Sequence, residues 1–205
     1  MKKMADAINK DDCKREFNIP LDKISVHIGY NGSTIQQHLL ILEKLALLAP
    51  EIKKILYITI PCGYGITPGY PAQIEQALIN CGIEGSLQKE YLDKTHTAHL
   101  RNSADIFIYG NETDSKSDSP IEYMYLGAYV LMPEWLLPNY QVLNKTTYTY
   151  YSYNSFELLT PTFNSLLNDF EQSDNSSPNG LQDFQNWMEK DNSWDVLGPL
   201  WKKLL

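Results

Sequence analysis

Short apolar segments alternate with longer helical patterns along most of this 205-residue chain. Ile55 to Ile60 is a continuous apolar run, which is typical of a parallel strand that is buried on both faces. Segments rich in β-branched and aromatic side chains occupy residues 24–30, 105–109 and 128–132, and a weaker one occupies 83–87. Strand and helix alternating at this rhythm predict an α/β fold, a doubly wound parallel sheet with right-handed crossovers.

Helical patterns fill the intervals between the predicted strands. Apolar residues at three- and four-residue spacing predict an amphipathic helix after the first strand, and they are Ile35, Leu39, Leu42, Leu45 and Leu48. Ser33 with Gln36 matches a capping box at the start of this helix. Further helices are predicted at about residues 71–80, ended by Gly82 as a left-handed cap, at 91–102 and at 160–170.

The stretch from Asp105 to Pro133 carries the clearest local signals. Its strand leads into a polar loop, after which Ser119, Pro120 and Glu122 match an N-cap, a first helical residue and the acid of a capping box. Free backbone N–H groups and the helix macrodipole favour anions at such a helix start. We therefore predict a phosphate site between Asp114 and Glu122, where nearby carboxylates can hold sugar hydroxyls.

Ligands of open parallel sheets bind beyond the carboxyl ends of the strands, where the strand order reverses. This rule predicts that the loops at residues 30–33, 61–65 and 110–119 border one crevice. Glycine lets the backbone approach a ligand closely, so Gly32 and Ser33 are candidates to contact a pyrophosphate. A plain turn followed by an N-cap is the alternative interpretation of these two residues.

Composition excludes several kinds of partner and site. The net charge is −8 with only 17 Lys and Arg residues, so the basic stripe of a nucleic-acid groove is missing. No apolar run approaches the roughly 20 residues of a membrane span, and the first residues lack a signal-peptide pattern, so we expect a cytoplasmic protein. Cys13, Cys62 and Cys81 are odd in number and lack C-x-x-C spacing, which argues against a disulfide framework and a zinc site.

The chain divides into segments by composition. Residues 1–22 are polar and predict a linker or an N-terminal tail, residues 23–172 form the sheet domain, and residues 173–180 form a loop. Residues 181–205 predict one or two extra C-terminal helices with an aromatic face. That face either packs on the domain or docks on a missing partner domain.

Asp114 and Glu122 are separated by seven residues, and YMYLGAYVLMP follows them. This arrangement resembles the donor-binding motif in the C-terminal half of retaining glycosyltransferases built from two Rossmann-like domains, the GT-B architecture. The first acid here is Asp where that family more usually has Glu. VHIGYNGSTIQQHLLILEKL and ILYITIPCGYG are similar to the first and second βα units of such a half, particularly in 4-acetamido-fucosyl transferases. The resemblance covers about residues 23–143.

The resemblance implies roles for particular residues. Glu122 would accept hydrogen bonds from the ribose of a donor nucleotide and Asp114 would contact the donor sugar, so these two are the candidate catalytic residues. Together with the residues argued from the sheet geometry, the candidate substrate-binding residues are Asn31, Gly32, Ser33, Tyr64, Gly65, Arg101, Ser117 and Ser119. Among them, the Tyr64 ring would stack on the base, and the two serines near the second acid would reach the diphosphate. No metal ion and no cofactor are implied.

This chain lacks the two positively charged residues that the resemblance predicts after the first and second strands. Such enzymes usually place an Arg and a Lys after the first and second strands, and neither YNGST nor PCGYG contains one. The charge of a diphosphate would therefore be balanced by helix N-termini, by Lys89 or Arg101, or by another domain. For Arg101, a surface ion pair is the alternative role.

Two classes of function remain open at this point. The first is a donor-binding domain that helps transfer a sugar from a nucleotide diphosphate sugar to a glycan or to a lipid-linked acceptor at the inner face of a membrane. Since 205 residues hold one of the two domains, activity would require a missing N-terminal acceptor domain. The second is a non-enzymatic Rossmann-like module that binds a protein and has no affinity for nucleotides.

Overall fold

The computed structural model describes residues 9–113, 117–140, 143, 146–173 and 177–191. Within these residues, six parallel strands form one sheet in the order β3-β2-β1-β4-β5-β6. They are β1 (Ile24–Ile28), β2 (Leu56–Pro61), β3 (Glu84–Gln88), β4 (Ile106–Ile108), β5 (Tyr129–Pro133) and β6 (Tyr151–Tyr153). The doubly wound parallel sheet is confirmed, and its five predicted strands differ from the observed ones only at their ends.

Helices connect the strands and cover both faces of the sheet. They are α1 (Lys10–Glu16), α2 (His38–Leu45), α3 (Pro50–Ile55), α4 (Tyr70–Cys81), α5 (Lys94–Asn102), α6 (Ser119–Tyr125), α7 (Leu159–Gln172) and α8 (Leu181–Asp191). Single 3-10 segments cover Thr34–Gln36, Glu134–Asn139 and Phe156–Leu158. The strand order reverses between β1 and β4, so the carboxyl ends of these two strands mark the expected ligand crevice.

Alternate residues of the central strands face the two helical layers. Val26 and Ile28 pack in a buried cluster with α2, α4 and α7, whereas His27 between them contacts Tyr123 of α6. The second cluster joins the sheet to α6 and α8, where Phe184 is fully buried. Because helices cover both faces, every residue of β2 and β5 is buried.

Helix α1 packs against α5 and is tied to the start of β4. Lys14 donates to Oδ2 of Asp105 over 2.6 Å, Lys10 donates to Oδ1 over 3.2 Å, and the backbone N–H of Ser25 donates to Oδ2 over 2.8 Å. Burial by itself raises the pKa of Asp105, but the two ammonium groups and the Ser25 N–H together outweigh burial and hold that pKa below its ordinary value. Residues 10–16, which fall in the predicted linker, therefore form a helix packed on the sheet domain.

The two predicted capping boxes are wrong. The Ser33 side chain makes no capping hydrogen bond, and a 3-10 turn separates Ser33 from α2, which begins at His38. At α6 the N-cap is Asp118, and Ser119 is already helical. Glu122 does not bond the Ser119 backbone, because its carboxylate pairs with Arg101 instead.

Other helix ends follow ordinary capping rules. Gly82 ends α4 in the left-handed conformation with φ of 72°, as predicted. Helix α5 begins at Lys94, later than predicted, because the Asp93 side chain accepts from the His96 backbone N–H over 2.9 Å. The N-cap therefore fixes where α5 starts.

The aromatic face of α8 packs on the domain. The ring of Phe184 lies 5.2 Å from the ring of Tyr148, and Trp187 packs against the same cluster. The predicted continuation through Trp194 and Trp201 lies outside the described residues. Cys13, Cys62 and Cys81 are buried and have free thiols.

Candidate functional site

The loops after β1 and β2 lie against each other at the carboxyl edge of the sheet. The backbone N–H of Gly32 donates to the Tyr64 carbonyl over 2.9 Å. A Cβ built on Gly32 would lie 3.1 Å from Ile66, and one built on Gly65 would lie 3.2 Å from the Asn31 side chain. The structure therefore brings the predicted residues of these two loops together. Close packing favours glycine at position 32, and the left-handed φ of 61° favours glycine at position 65.

The predicted pyrophosphate donors of the first loop already have partners within the chain. The Ser33 backbone N–H donates to Oδ1 of Asn31 over 3.0 Å, in addition to the bond from Gly32 to Tyr64. Burial raises the pKa of the Tyr70 phenol, while hydrogen bonds from the backbone N–H groups of Leu39 and His38 act to lower it. The Tyr70 ring also lies 5.7 Å from the ring of His38, the first residue of α2.

The loop after β4 adjoins the loop after β1. The Glu112 backbone N–H donates to the Ile35 carbonyl over 3.1 Å, and Gln37 donates from Nε2 to the Glu112 carboxylate over 3.2 Å. A Cβ on Gly110 would lie 2.8 Å from the Gln36 carbonyl oxygen. The described part of this loop thus reaches the crevice, whereas Asp114 lies outside the described residues.

Ser117 and Ser119 form hydrogen bonds in the turn that leads into α6. The Ser117 backbone N–H donates to the Tyr140 hydroxyl over 3.3 Å, and the Ser119 backbone N–H donates to Oγ of Ser117 over 3.3 Å. Oγ of Ser119 accepts from Arg101 over 3.2 Å. These contacts hold the first turn of α6 against α5.

Arg101 and Glu122 are brought together although they lie 21 positions apart along the chain. Nη1 of Arg101 pairs with Oε2 of Glu122, and the guanidinium carbon lies 5.9 Å from the centre of the Tyr123 ring. The side chains are only 14% and 23% exposed. Because the pair is partly shielded from water, the attraction between its charges is stronger than in a fully exposed surface pair.

Tyr64 lies within electrostatic reach of this pair. Burial raises the pKa of the Tyr64 phenol, the positive charge of Arg101 acts to lower it, and Tyr30 and Tyr91 act to raise it. Tyr64 is nevertheless 46% exposed, so part of its ring is open to a ligand. The crevice therefore combines an exposed aromatic ring, a guanidinium group and a carboxylate.

A groove of about 540 Å³ borders the crevice on the α2 side. Its lining includes Gln37, Glu43 and Gln73 beside Ile35, Leu39 and Pro68, and Glu112 from the loop after β4. Sequence reasoning missed Gln37 and Glu112. Glu112 lies in the loop after β4, so its position beyond a strand's carboxyl end was the available signal. No sequence signal indicated the left-handed conformation of Gln37, whose φ is 57°.

The described residues contain no group of three or more His, Cys, Asp or Glu side chains that could hold a metal ion. No helix in the described ranges is long and apolar enough to cross a bilayer.

No protein-family model matches the chain, and no curated protein matches it. Solved structures do match its fold. A glycosyltransferase from Rickettsia africae has a TM-score of 0.72 at 14% identity, over 95% of this chain and 50% of that chain. Sucrose-phosphate synthase from Thermosynechococcus elongatus has a TM-score of 0.69 at 13% identity, over 96% of this chain and 51% of that chain.

A third match is a separate domain. The C-terminal domain of the glycosyl transferase group 1 family protein LpcC from Francisella tularensis has a TM-score of 0.67 at 12% identity, over 89% of this chain and 92% of that domain. The chain thus spans about half the length of the first two proteins and nearly all of this domain. It has the Rossmann-like α/β fold of one half of a GT-B glycosyltransferase.

Proposed function

We propose that this chain is the nucleotide-sugar-binding half of a glycosyltransferase. The observation that carries the proposal is the pairing of Arg101 with Glu122 in the first turn of the helix after β4, together with the exposed Tyr64 in the loop after β2, which contacts the loop after β1. These residues come from three separate segments of the chain. An aromatic ring and a carboxylate at a crevice of a Rossmann-like sheet suit the base and the ribose of a nucleotide.

Glu122 is the residue proposed to bind the ribose. Its Oε2 is held by Arg101, and no described residue donates a hydrogen bond to its Oε1. A carboxylate oxygen can accept strong, charge-assisted hydrogen bonds from ribose hydroxyls. We assign the base to the exposed ring of Tyr64, because stacking on an aromatic side chain contributes roughly 1–3 kcal/mol per base.

The diphosphate needs positive charge that the neighbouring loops lack. Residues 29–37 and 62–69 contain no Lys or Arg. Arg101 is already paired with Glu122, and we propose that a second domain supplies the positive charge. Electrostatic stabilisation of the leaving diphosphate would then come mainly from that second domain. Asp114 stays the candidate for contacting the donor sugar.

The complete reaction would need a second domain for the acceptor. The chain spans about half the length of the glycosyltransferase from Rickettsia africae. We propose that the acceptor is a glycan or a lipid-linked glycan, which fits a cytoplasmic protein at the inner face of a membrane. The sequence resemblance to 4-acetamido-fucosyl transferases supports a nucleotide diphosphate sugar as the donor.

Calorimetric titration of the 205-residue chain with UDP, GDP and dTDP tests the proposal. We expect at least one nucleotide to bind with a dissociation constant below about 1 mM. If none of the three nucleotides gives a heat of binding at millimolar concentration, the donor site is contradicted. The protein-interaction module then becomes the better interpretation.

A further inference from the structure

We infer that Arg101 is a positioning residue for Glu122, and this inference rests on the proposed function. By holding Oε2, Arg101 fixes the carboxylate and leaves Oε1 as the oxygen for a ribose hydroxyl. Arg101 then acts through Glu122 and does not itself touch the ribose.

The contacts of Arg101 fix the guanidinium group from three sides. Nη1 pairs with Glu122, Nη2 donates to Oγ of Ser119 over 3.2 Å, and the group lies over the Tyr123 ring at 5.9 Å. The two acceptors belong to the first turn of α6, whereas Arg101 belongs to α5. The planar guanidinium group can bind both acceptors at once, which the single ammonium group of a lysine cannot do with the same geometry.

The pair also changes the charge that an incoming diphosphate meets. Asp118, Glu122 and Glu112 place carboxylates at the start of α6 and in the loop before it, and the loops after β1 and β2 contribute no cation. Because Arg101 neutralises Glu122, the ribose acceptor adds no net negative charge beside the diphosphate. An unpaired Glu122 would bind the ribose less well and would also repel the phosphates.

The test compares nucleotides that have and lack the ribose hydroxyls. The probes are UDP, GDP and dTDP, each beside its 2′,3′-dideoxy or 3′-deoxy analogue, and dissociation constants are measured by calorimetry. We expect wild type to prefer the hydroxyl-bearing form at least about tenfold, since a hydrogen bond to a charged group is worth roughly 1.5–3 kcal/mol. In Arg101→Lys this preference should fall below about threefold, while the affinity for the analogue changes little.

Two further variants serve as a control and as a second test of the positioning role. Arg15→Lys changes the other arginine of the chain, which pairs with Asp12 at the surface, and it should leave the preference unchanged. Ser119→Ala removes the second anchor of Arg101 without changing a charge, and it should lower the preference about two- to fivefold. If a thermal melt shows that Arg101→Lys does not fold, the Ser119→Ala variant provides the test instead.

Each outcome decides a different question. If wild type binds a nucleotide but the preference is unchanged in Arg101→Lys and Ser119→Ala, the positioning role is wrong and the proposed function stands. Equal weakening of both ligand forms would mean a merely structural role or a direct phosphate contact, and it would also overturn the inference. Absence of any nucleotide binding by wild type overturns the proposed function and the inference together.

Discussion

Nζ of Lys14 lies 2.6 Å from Oδ2 of Asp105, although the two residues lie 91 positions apart along the chain. Both side chains are buried, with exposed fractions of 7% and 9%. Asp105→Asn would leave the buried Lys14 ammonium without its charged partner. Since breaking a buried pair from one side typically costs about 3–5 kcal/mol, we expect a loss of about 3 kcal/mol in the free energy of unfolding, measured with urea at pH 7.

A surface pair in the same helix provides the control for Asp105. Asp12 pairs with Arg15 while both side chains are about half exposed, at 49% and 57%. Asp12→Asn should therefore change stability by less than about 1 kcal/mol. Similar losses in the two variants would show that α1 is not held by its buried pair.

The stability of the fold should fall in mildly acid solution because two histidines are buried in the neutral form. Burial lowers the pKa of His27 to about 3 and that of His38 to about 4, from 6.5. Between pH 6.5 and about 4 the unfolded chain binds a proton at each histidine and the folded chain does not. The free energy of unfolding should thus fall as the pH falls, by about 1.4 kcal/mol per pH unit for each histidine.

His38→Leu isolates one of these two contributions. Neither ring nitrogen of His38 has a hydrogen-bond partner among the described residues, whereas His27 contacts the Tyr123 hydroxyl over 3.1 Å. An apolar side chain at position 38 should leave the free energy of unfolding at pH 7 within about 1 kcal/mol of wild type. It should roughly halve the fall in that free energy per pH unit between pH 6.5 and about 4. Urea unfolding at pH 7, 6 and 5 measures both effects, and an unchanged slope would contradict the assignment.

Glu122→Gln separates ligand binding from folding. The amide keeps the shape of the side chain but loses the charge that ribose hydroxyls and Arg101 use. We expect nucleotide affinity to fall at least about tenfold and the free energy of unfolding to fall by about 1 kcal/mol. Glu84→Gln, at the amino end of β3, should leave affinity unchanged. Normal binding by Glu122→Gln would remove this residue from the proposed site.

Gly63→Ala should displace the loop that carries Tyr64. A Cβ built on Gly63 would lie 2.2 Å from the Glu90 carbonyl oxygen and 3.2 Å from Cα of Tyr91, so the two loops must separate. We expect weaker nucleotide binding together with a lower melting temperature. Gly69→Ala is the matched control, because φ of 76° strains the backbone while nothing lies within 4 Å of the added Cβ. It should lower stability and leave nucleotide affinity unchanged.

The strands and the meeting of their loops could be predicted because local patterns determine them. The buried apolar run at residues 55–60 specifies a central parallel strand, and parallel strands place their following loops at one edge. The contact between Gly32 and Tyr64 follows from that rule. The role of Asp114 stays a prediction.

The remaining features depend on partners that are distant along the chain. A capping box at Ser119 and Glu122 assumes that a local backbone N–H is the best available donor, but Arg101 offers a charge-assisted bond. Lys10 and Lys14 make the N-terminal segment look like a solvated tail until Asp105 is placed beside them. Single-sequence patterns contain no information on such pairings.

The strand order also determines when during folding the crevice can exist. Four of the five strand pairings in the described sheet join strands that follow each other along the chain, whereas β1 pairs with β4, so that Val26 lies beside Ile106. Closing this longer loop costs more entropy, so we expect the halves β1–β3 and β4–β6 to form before they join. The crevice lies across that junction, and a nucleotide can therefore stabilise only the completed sheet and not either half.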